Sequence, residues 1–270
     1  MKVPARNESF EAYYRSLYGV RWESLRESLL AERPGFAFSE GLTEPYFLDY
    51  ASVLAARSVR LPAVFDGGEE PPLILDACAA PGGKSLVIAA GLPSVCRLLA
   101  NELSADRRRR LSGVLDKYLD GEKRRRVTVS GFDAAAAGRR KTEHGRFAAV
   151  LVDAPCSSEA HVLRDSSALA AWTGARPRFL ARRQWALLSS AFLLLRSGGS
   201  LVYATCALSG EENDGVVQRL LEKYGSSIVL DRPDFSEGEQ TGFGRIMLPD
   251  VSGMGPMYVA RFRKIQQDGC

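Results

Sequence analysis

The sequence has no apolar run approaching the ~18 residues that a bilayer-spanning helix needs, so no transmembrane helix is expected. Its first residues carry Glu8 and Glu11 and have no apolar centre, unlike a secretory signal or an acid-poor transit peptide. None of the five cysteines (Cys78, Cys96, Cys156, Cys206 and Cys270) forms a C-x-x-C pair, and five is odd. That argues against a zinc site and against a secreted disulfide scaffold, and for a reducing compartment. Cys96 reads as a small buried hydrophobe and Cys270 as part of a terminal tail. There is no internal repeat and no low-complexity segment.

What is present is an ordinary globular composition over 270 residues. Such a chain is one large domain, or one domain with an appendage, and needs no staple to fold. The net charge of +4 is unevenly spread. Asn101 to Arg146 holds thirteen Lys/Arg against seven Asp/Glu, with blocks at Arg107–Arg110 and Lys123–Arg126. Arg176 to Arg196 holds five Arg and no acid, and Ser209 to Gln240 is acidic. Basic blocks are either solvated helix faces or surfaces for a polyanion, and charge alone does not choose.

Periodicity divides the chain. In the first thirty residues, Phe10, Tyr13, Tyr14, Leu17, Trp22, Leu25, Leu29 and Leu30 recur at helical spacing. Gly67–Pro72 reads as a linker. Residues 1–70 are therefore expected to form a helical N-terminal extension, a region that would contact RNA if RNA is the partner. Residues 71–270 would form the main domain. Strands are expected at Leu73–Asp76, Leu98–Asn101, Val127–Ser130, Ala148–Asp153 and Ser200–Ala204, with weaker ones at Ile228–Leu230 and Met257–Phe262. Runs such as "AAVLV" lack alternation, as in central parallel strands covered on both faces. Ser104 can cap a helix carrying Leu111, Val114, Leu115 and Tyr118. Another helix should run from about Arg178 to Arg196, ended by Gly198 and Gly199. Ser209 and Glu212 form a capping box that opens a third, which Gly225 stops. The alternation implies a doubly wound α/β fold, whose ligands lie at the carboxyl ends of the strands.

The loop after the first of these strands, "LILDACAAPGGKSL", almost spells a P-loop. The match fails where Cys78 stands in place of the first glycine, and Pro81 removes an N–H that a phosphate cradle would use. An adenosyl cofactor fits better. Gly82 and Gly83 permit close backbone approach, Glu102 in "LLANEL" is placed for ribose hydroxyls, and Asp133 in "VSGFDA" for the adenine. Cys156 in "VDAPCSS" and Cys206 in "YATCALS" each follow an apolar strand, so both should lie on one rim beside Asp153. A carboxylate and two thiols beside a cofactor pocket point to covalent catalysis.

"LDACAAPGGKS", "NELSADRRRRL", "VSGFDA", "VDAPCSS" and "YATCALSGEEN" resemble, in order and spacing, the motifs of the Nop/Sun family of RNA cytosine-5 methyltransferases. "YFLDYASVLAA" and "GPMYVARF" also fit. "YYRSLYGVRWESLRESLL" and "SSEAHVL" are most similar to the mitochondrial ribosomal and transfer RNA members. The added RNA-binding modules of the usual bacterial members are not seen. The resemblance implies a Rossmann-like class I methyltransferase with a doubly wound, mostly parallel, seven-stranded sheet. It implies S-adenosylmethionine as cofactor, held by Ala79, Pro81, Gly82, Gly83, Lys84, Glu102, Arg107, Asp133 and Asp153. It implies Cys206 as nucleophile, Cys156 in product release and Asp153 as a third catalytic group. The partner would be ribosomal RNA before transfer RNA, with a protein partner conceivable for specificity. The chain would be a cytoplasmic monomer without metal or membrane, an organelle being the alternative compartment. The rivals are a DNA cytosine-5 methyltransferase with Cys156 as nucleophile and an inactive RNA-binding assembly factor. Two departures stand beside the reactive groups: Ala134 and Ser158 each replace a common glycine.

Overall fold

Strands buried on both faces form the middle of one large sheet, and their order places the loops discussed above. The computed structural model describes residues 9–62 and 71–265. Most of the Gly67–Pro72 linker, and Cys270, lie outside the described residues. The first span holds helices α1 (Phe10–Tyr18) and α2 (Trp22–Leu30), the antiparallel hairpin β1 (Phe36–Phe38) and β2 (Tyr46–Leu48), and α3 (Tyr50–Arg57). The second begins β3 (Leu73–Asp76), α4 (Gly83–Ala90), β4 (Arg97–Asn101), α5 (Ala105–Tyr118), α6 (Gly121–Arg125), β5 (Val127–Ser130) and α7 (Ala134–Ala137). It continues β6 (Phe147–Asp153), α8 (Glu159–Arg164), α9 (Ser166–Ala170), α10 (Arg176–Leu194), β7 (Leu195–Thr205) and α11 (Asp214–Tyr224). It closes with β8 (Ile228–Leu230), β9 (Glu239–Gln240), β10 (Arg245–Met247), α12 (Pro249–Ser252) and β11 (Met257–Lys264).

The sheet runs β5-β4-β3-β6-β7-β11-β10-β9, with β8 also paired to β11. Its first five strands are parallel, and β11 enters antiparallel beside β7. All seven expected strands form. Two corrections enlarge the count. Strands β9 and β10 extend the sheet to nine, and the N-terminal segment holds the β1–β2 hairpin besides its helices. Strands of two or three residues are too short to show a period. A third correction concerns α10, which ends at Leu194, before the glycines. Leu195 turns extended and pairs with Phe147 of β6, and Gly198 serves a turn within the early part of β7 at φ +75°.

Helices α1 and α2 are built into this core. Ser9 caps α1 by accepting the Ala12 N–H at 3.2 Å. Phe10 and Tyr14 meet tilted at 4.6 Å between centroids, and Trp22 stacks on Tyr14 at 5.3 Å. The ring of Trp172, from the loop before α10, meets Phe10 at 5.2 Å. The same cluster includes Val162 of α8 and Leu208 beyond Cys206. On the outer side, Arg21 bonds Asp250 at 2.6 Å and Glu239 at 2.8 Å. Trp22→Ala should therefore cost about 3–5 kcal/mol in urea unfolding, as large aromatic deletions do in packed cores. Val20→Ala, at a side chain 98% exposed, should stay within about 0.5 kcal/mol.

Candidate active site

The parallel strands end on one rim with Asp76, Asn101, Ser130, Asp153 and Thr205. Asp76 is wholly buried and accepts the Ser85 hydroxyl at 2.6 Å. Burial pushes its carboxyl up to about 7, against the pull of that hydroxyl. Beyond it the chain loops over the sheet. The Ala79 N–H donates to Asn101 O at 2.8 Å, and the Arg107 guanidinium donates to Ala80 O at 2.7 Å. Gly82 turns the chain at φ +126°, where a Cβ would come within 2.9 Å of Val114. At Gly83, where α4 begins, a Cβ would sit 3.0 Å from the Tyr46 ring.

Two cavities flank this loop. One of about 60 Å³ is bounded by Cys78, Glu102, Arg107, Phe132, Asp133 and Arg183, among others. The other, of about 110 Å³, is bounded by Tyr46, Ala79, Pro81, Gly83, Lys84 and Asp153, among others. The cofactor residues expected from sequence thus divide between them, with Gly82 in the turn. Glu102 is buried, takes the Ser104 N–H at 2.9 Å and lies 3.4 Å from Arg107. Asp133 caps α7 through the Ala135 N–H at 3.0 Å. Lys84 reaches across to Asp153 at 2.9 Å. Sequence reading missed Asn101, whose amide ties Ala77 O to Phe132 O at 3.1 and 3.0 Å. It also missed Tyr46, Phe132 and Arg183. A strand-end amide was visible in "LLAN", but the wall residues carry no local signal.

This arrangement fits an adenosyl ligand. A buried carboxylate (Glu102), an acid (Asp133) and a phenyl ring (Phe132) border one cavity, and a lysine (Lys84) borders the other.

The thiols meet because β6 and β7 are parallel neighbours, with Asp153 opposite Ala204. Their end loops leave side by side. The Cα atoms of Cys156 and Cys206 are 6.3 Å apart and the two sulfurs face each other in contact. Sequence spacing put both cysteines on one rim, and the convergence of the two loops brings their sulfurs together there. Ser158 lies between them, its hydroxyl 3.5 Å from the Cys156 sulfur and 3.4 Å from that of Cys206. Its φ of 54° is left-handed, a conformation glycine adopts freely, so this is where a serine stands for the common glycine. Cys78 is a different thiol. Burial pushes it far above the ordinary range, keeping it protonated.

The capping box is also corrected. Helix α11 starts at Asp214, after Asn213. Ser209 accepts the Glu211 N–H at 3.2 Å, while Glu212 turns away from it. The Glu212 carboxyl takes the Ser157 N–H at 3.0 Å and the Gln184 amide at 2.8 Å. Asn213 braces the other loop through Thr205 at 2.6 Å and Ala207 O at 2.9 Å.

Among the basic blocks, Arg108 binds Glu102 O, Lys123 pairs with Asp120, Arg124 with Asp116, and Arg126 binds Leu92 O and Pro93 O. The first turns of α10 differ: Arg176, Arg182 and Arg183 are exposed, and Phe179 among them is 69% exposed. Because α10 runs antiparallel into β7, these turns stand at the carboxyl rim.

A family model described as 16S rRNA methyltransferase RsmB/F matches residues 66–263. The ribosomal RNA small subunit methyltransferase F of Erwinia tasmaniensis is 38% identical over 232 residues, covering 84% of this chain and 46% of that protein. The Aeromonas salmonicida protein of the same name is 39% identical over 198 residues, 71% of this chain and 40% of its own length. The chain thus spans about half the length of the curated relatives it matches. Among solved structures, NSun6 from Pyrococcus horikoshii with SFG is 26% identical at a TM-score of 0.67, covering 85% of this chain and 55% of that one. A methyltransferase homologue from Pyrococcus horikoshii, 20% identical, shares the fold at a TM-score of 0.69 over 94% of this chain and 93% of that one.

Gly82→Ala tests the loop. It adds a side chain at positive φ against Val114, and should weaken S-adenosylmethionine binding by about tenfold or more in calorimetric titration, an energy on the scale of such strain. Gly113→Ala, with open space around its Cβ in α5, should leave binding unchanged.

Proposed function

The chain belongs to the 16S rRNA methyltransferase RsmB/F family, and on that premise we propose that it methylates carbon 5 of a cytosine in ribosomal RNA through a covalent adduct on Cys206. The observation that carries this reading is the meeting of two thiols and Asp153 at the ends of β6 and β7, beside the loop cavities.

Carbon 5 of cytosine is a poor nucleophile because it belongs to an aromatic ring. Addition of the Cys206 thiolate to carbon 6 breaks that aromaticity and makes carbon 5 enamine-like. S-adenosylmethionine, when bound, supplies the electrophilic methyl group. Glu102 would hold its ribose hydroxyls, Asp133 its adenine amino group, and Lys84 its carboxylate. Loss of the carbon-5 proton then lets the thiolate leave, a step in which Cys156 assists. Both cysteines must be reduced for this chemistry. Asp153, held by Lys84, is within reach of the same rim and serves as the polar contact for the ring edge or as a general acid. The target base must be exposed from its stack, so the protein needs a surface for flanking nucleotides. The exposed start of α10 supplies arginines and an aromatic face.

Among the described residues no helix is long and apolar enough to cross a membrane, and none of the His, Cys, Asp and Glu residues cluster as a metal site.

Cys206→Ala should abolish methylation, a loss of at least about 10³-fold in a bisulfite readout on ribosomal RNA, as for other deleted nucleophiles. Cys156→Ala should accumulate a protein–RNA adduct, seen as a slow band on a denaturing gel. An active Cys206→Ala with a dead Cys156→Ala would reverse the two roles.

RNA affinity should fall with salt. Replacing Arg176, Arg182 and Arg183 together by Ala should make the log–log slope shallower by about 2, at ~0.7 per single-strand phosphate contact. Phe179→Ala should cost about 1–3 kcal/mol of binding, the size of one base stack. Filter binding across a salt series measures both.

A further inference from the structure

Behind the two cysteines lies a buried pair of glutamates that the reaction above does not use. Glu159 is the first residue of α8, three residues after Cys156, and Glu212 is six residues after Cys206; both are 0% exposed. Their link is Ser157. Its hydroxyl oxygen is hydrogen-bonded to Glu159 Oε1 and lies 2.5 Å from Glu212 Oε1. Tyr14 of α1 donates its hydroxyl to the same Glu159 Oε1 at 2.5 Å. Glu212 Oε2 takes the Ser157 N–H and the Gln184 amide.

Counting hydrogens shows what is missing. Oxygen–oxygen contacts this close each need a proton between them. Tyr14 has one, and it goes to Glu159. Ser157 Oγ has one, yet it meets two carboxyl oxygens. With that hydrogen directed to Glu159, the contact between Glu212 Oε1 and Ser157 has none unless Glu212 carries it. Two ionised carboxylates on one hydroxyl would repel strongly in a buried site. The backbone N–H groups of Glu159 and Leu208 act on the Glu159 carboxyl and none on Glu212 Oε1; Glu159 Oε2 is buried and has no hydrogen-bond partner, and the Gln184 carbonyl is in the same condition.

We propose that Glu159 and Glu212 are positioning residues that hold one proton between them across Ser157, seated on Glu212, and that this proton staples the Cys156 loop to the Cys206 loop. The chain of donors runs from the Glu212 acid to Ser157 to the Glu159 carboxylate, which Tyr14 meets from the other side. The pair thereby couples the N-terminal helix to the spacing of the two thiols. The consequence for catalysis rests on the function proposed above, while the proton itself does not.

The titratable groups around the pair are Tyr13, Tyr14 and Tyr18 on α1, Tyr203 on β7, whose hydroxyl donates to Glu212 O at 2.6 Å, and Glu211, itself influenced by Arg178 of α10. Burial first, and Glu159 second, push Glu212 up to about 7; burial raises Glu159 as well. A carboxyl raised in the folded state binds its proton there and not in the unfolded chain between about pH 4.3 and its folded value. Stability therefore falls as pH rises through that window and is lowest above it. Asp76 behaves the same way, so it contributes part of the wild-type slope.

The test compares urea unfolding of the whole protein from about pH 5 to pH 8 for wild type, Glu212→Gln, Glu159→Gln and Glu212→Ala. Glutamine at 212 can donate its N–H to Ser157 where the acid donates O–H, and accept Ser157 N–H and Gln184 on its carbonyl. Glu212→Gln should fold, and its slope against pH should lose about one proton relative to wild type. Glu212→Ala and Glu159→Gln should be less stable throughout. Infrared difference spectra add a reading on unmutated contacts: an Asp76→Asn background should show a protonated carboxyl band at pH 6 that disappears by pH 9. An unchanged slope in Glu212→Gln, or no such band, overturns the shared proton. A tolerated Glu159→Gln with a crippled Glu212→Gln overturns its seat on Glu212. If the proton is found while the protein leaves every RNA unmethylated, the proposed function fails and the pair stands.

Discussion

The parallel pairing of β6 with β7 is the constraint on which the rest of the site depends. Each strand is buried on both faces, so its hydrogen bonds and its apolar side chains fix its register. Register decides where the chain leaves the sheet. Asp153 opposite Ala204 makes the two following loops emerge together, and the thiols at the third residue after β6 and the first after β7 meet. A slip of one residue would turn every side chain of a strand to its other face, so the core and the chemistry are protected by one set of contacts. The neighbouring strands act the same way. Asn101 at the end of β4 bonds to the loops after β3 and β5, and so places the cofactor loop against Glu102 and Phe132.

The N-terminal helices supply a second brace. Tyr14 and Trp22 are core residues, and the tyrosine's hydroxyl ends on Glu159, one turn from Cys156. Tyr13 touches Ser209 at 3.2 Å and Tyr18 donates to Leu208 O at 2.8 Å, both in the loop beyond Cys206. One short helix therefore holds both cysteine loops through three phenols. Burial raises all three, so they remain neutral donors. A segment that reads as an extension in one dimension thus closes the back of the site in three.

What was legible in the sequence follows from how far each signal reaches. Four of the five parallel strands announce themselves through apolar runs, β5 being the alternating "VTVS", and the rim shows itself through polar residues at and directly after the strand ends. Spacing of three and four identified α1 and α2, although it could not say what they cover. The β1–β2 hairpin and the pair β9 and β10 were missed because two or three residues carry no period. Glu212 was misread for a better reason. Serine followed three residues later by glutamate is a sound local rule, and Ser209 does accept a nearby N–H. The carboxyl has a stronger claimant in Ser157, 55 residues away in sequence, and tertiary hydrogen bonds outrank a helix cap. Likewise the two cysteines could be assigned to one rim but not to contact, because contact depends on loop paths and not on strand order.

The same reach explains the charge pattern. Read as blocks, Arg107–Arg110 and Lys123–Arg126 are as basic as the start of α10. In three dimensions Arg107, Arg108, Arg124 and Arg126 each satisfy a backbone carbonyl near a strand or loop end. They act as fasteners, since a guanidinium carries five donors in a fixed fork and suits crowded carbonyls better than a solvated ammonium would. Arginines that hold carbonyls are poorly placed to release counterions from a polyanion. The start of α10 differs, because it lies on the rim that carries the cysteines, has no acid within its length and exposes Arg176, Arg182 and Arg183. Charge density in the sequence therefore overstates the polyanion surface. Within the blocks Arg109, Arg110 and Arg125 stay exposed, and the start of α10 adds a basic face on the rim that carries the cysteines.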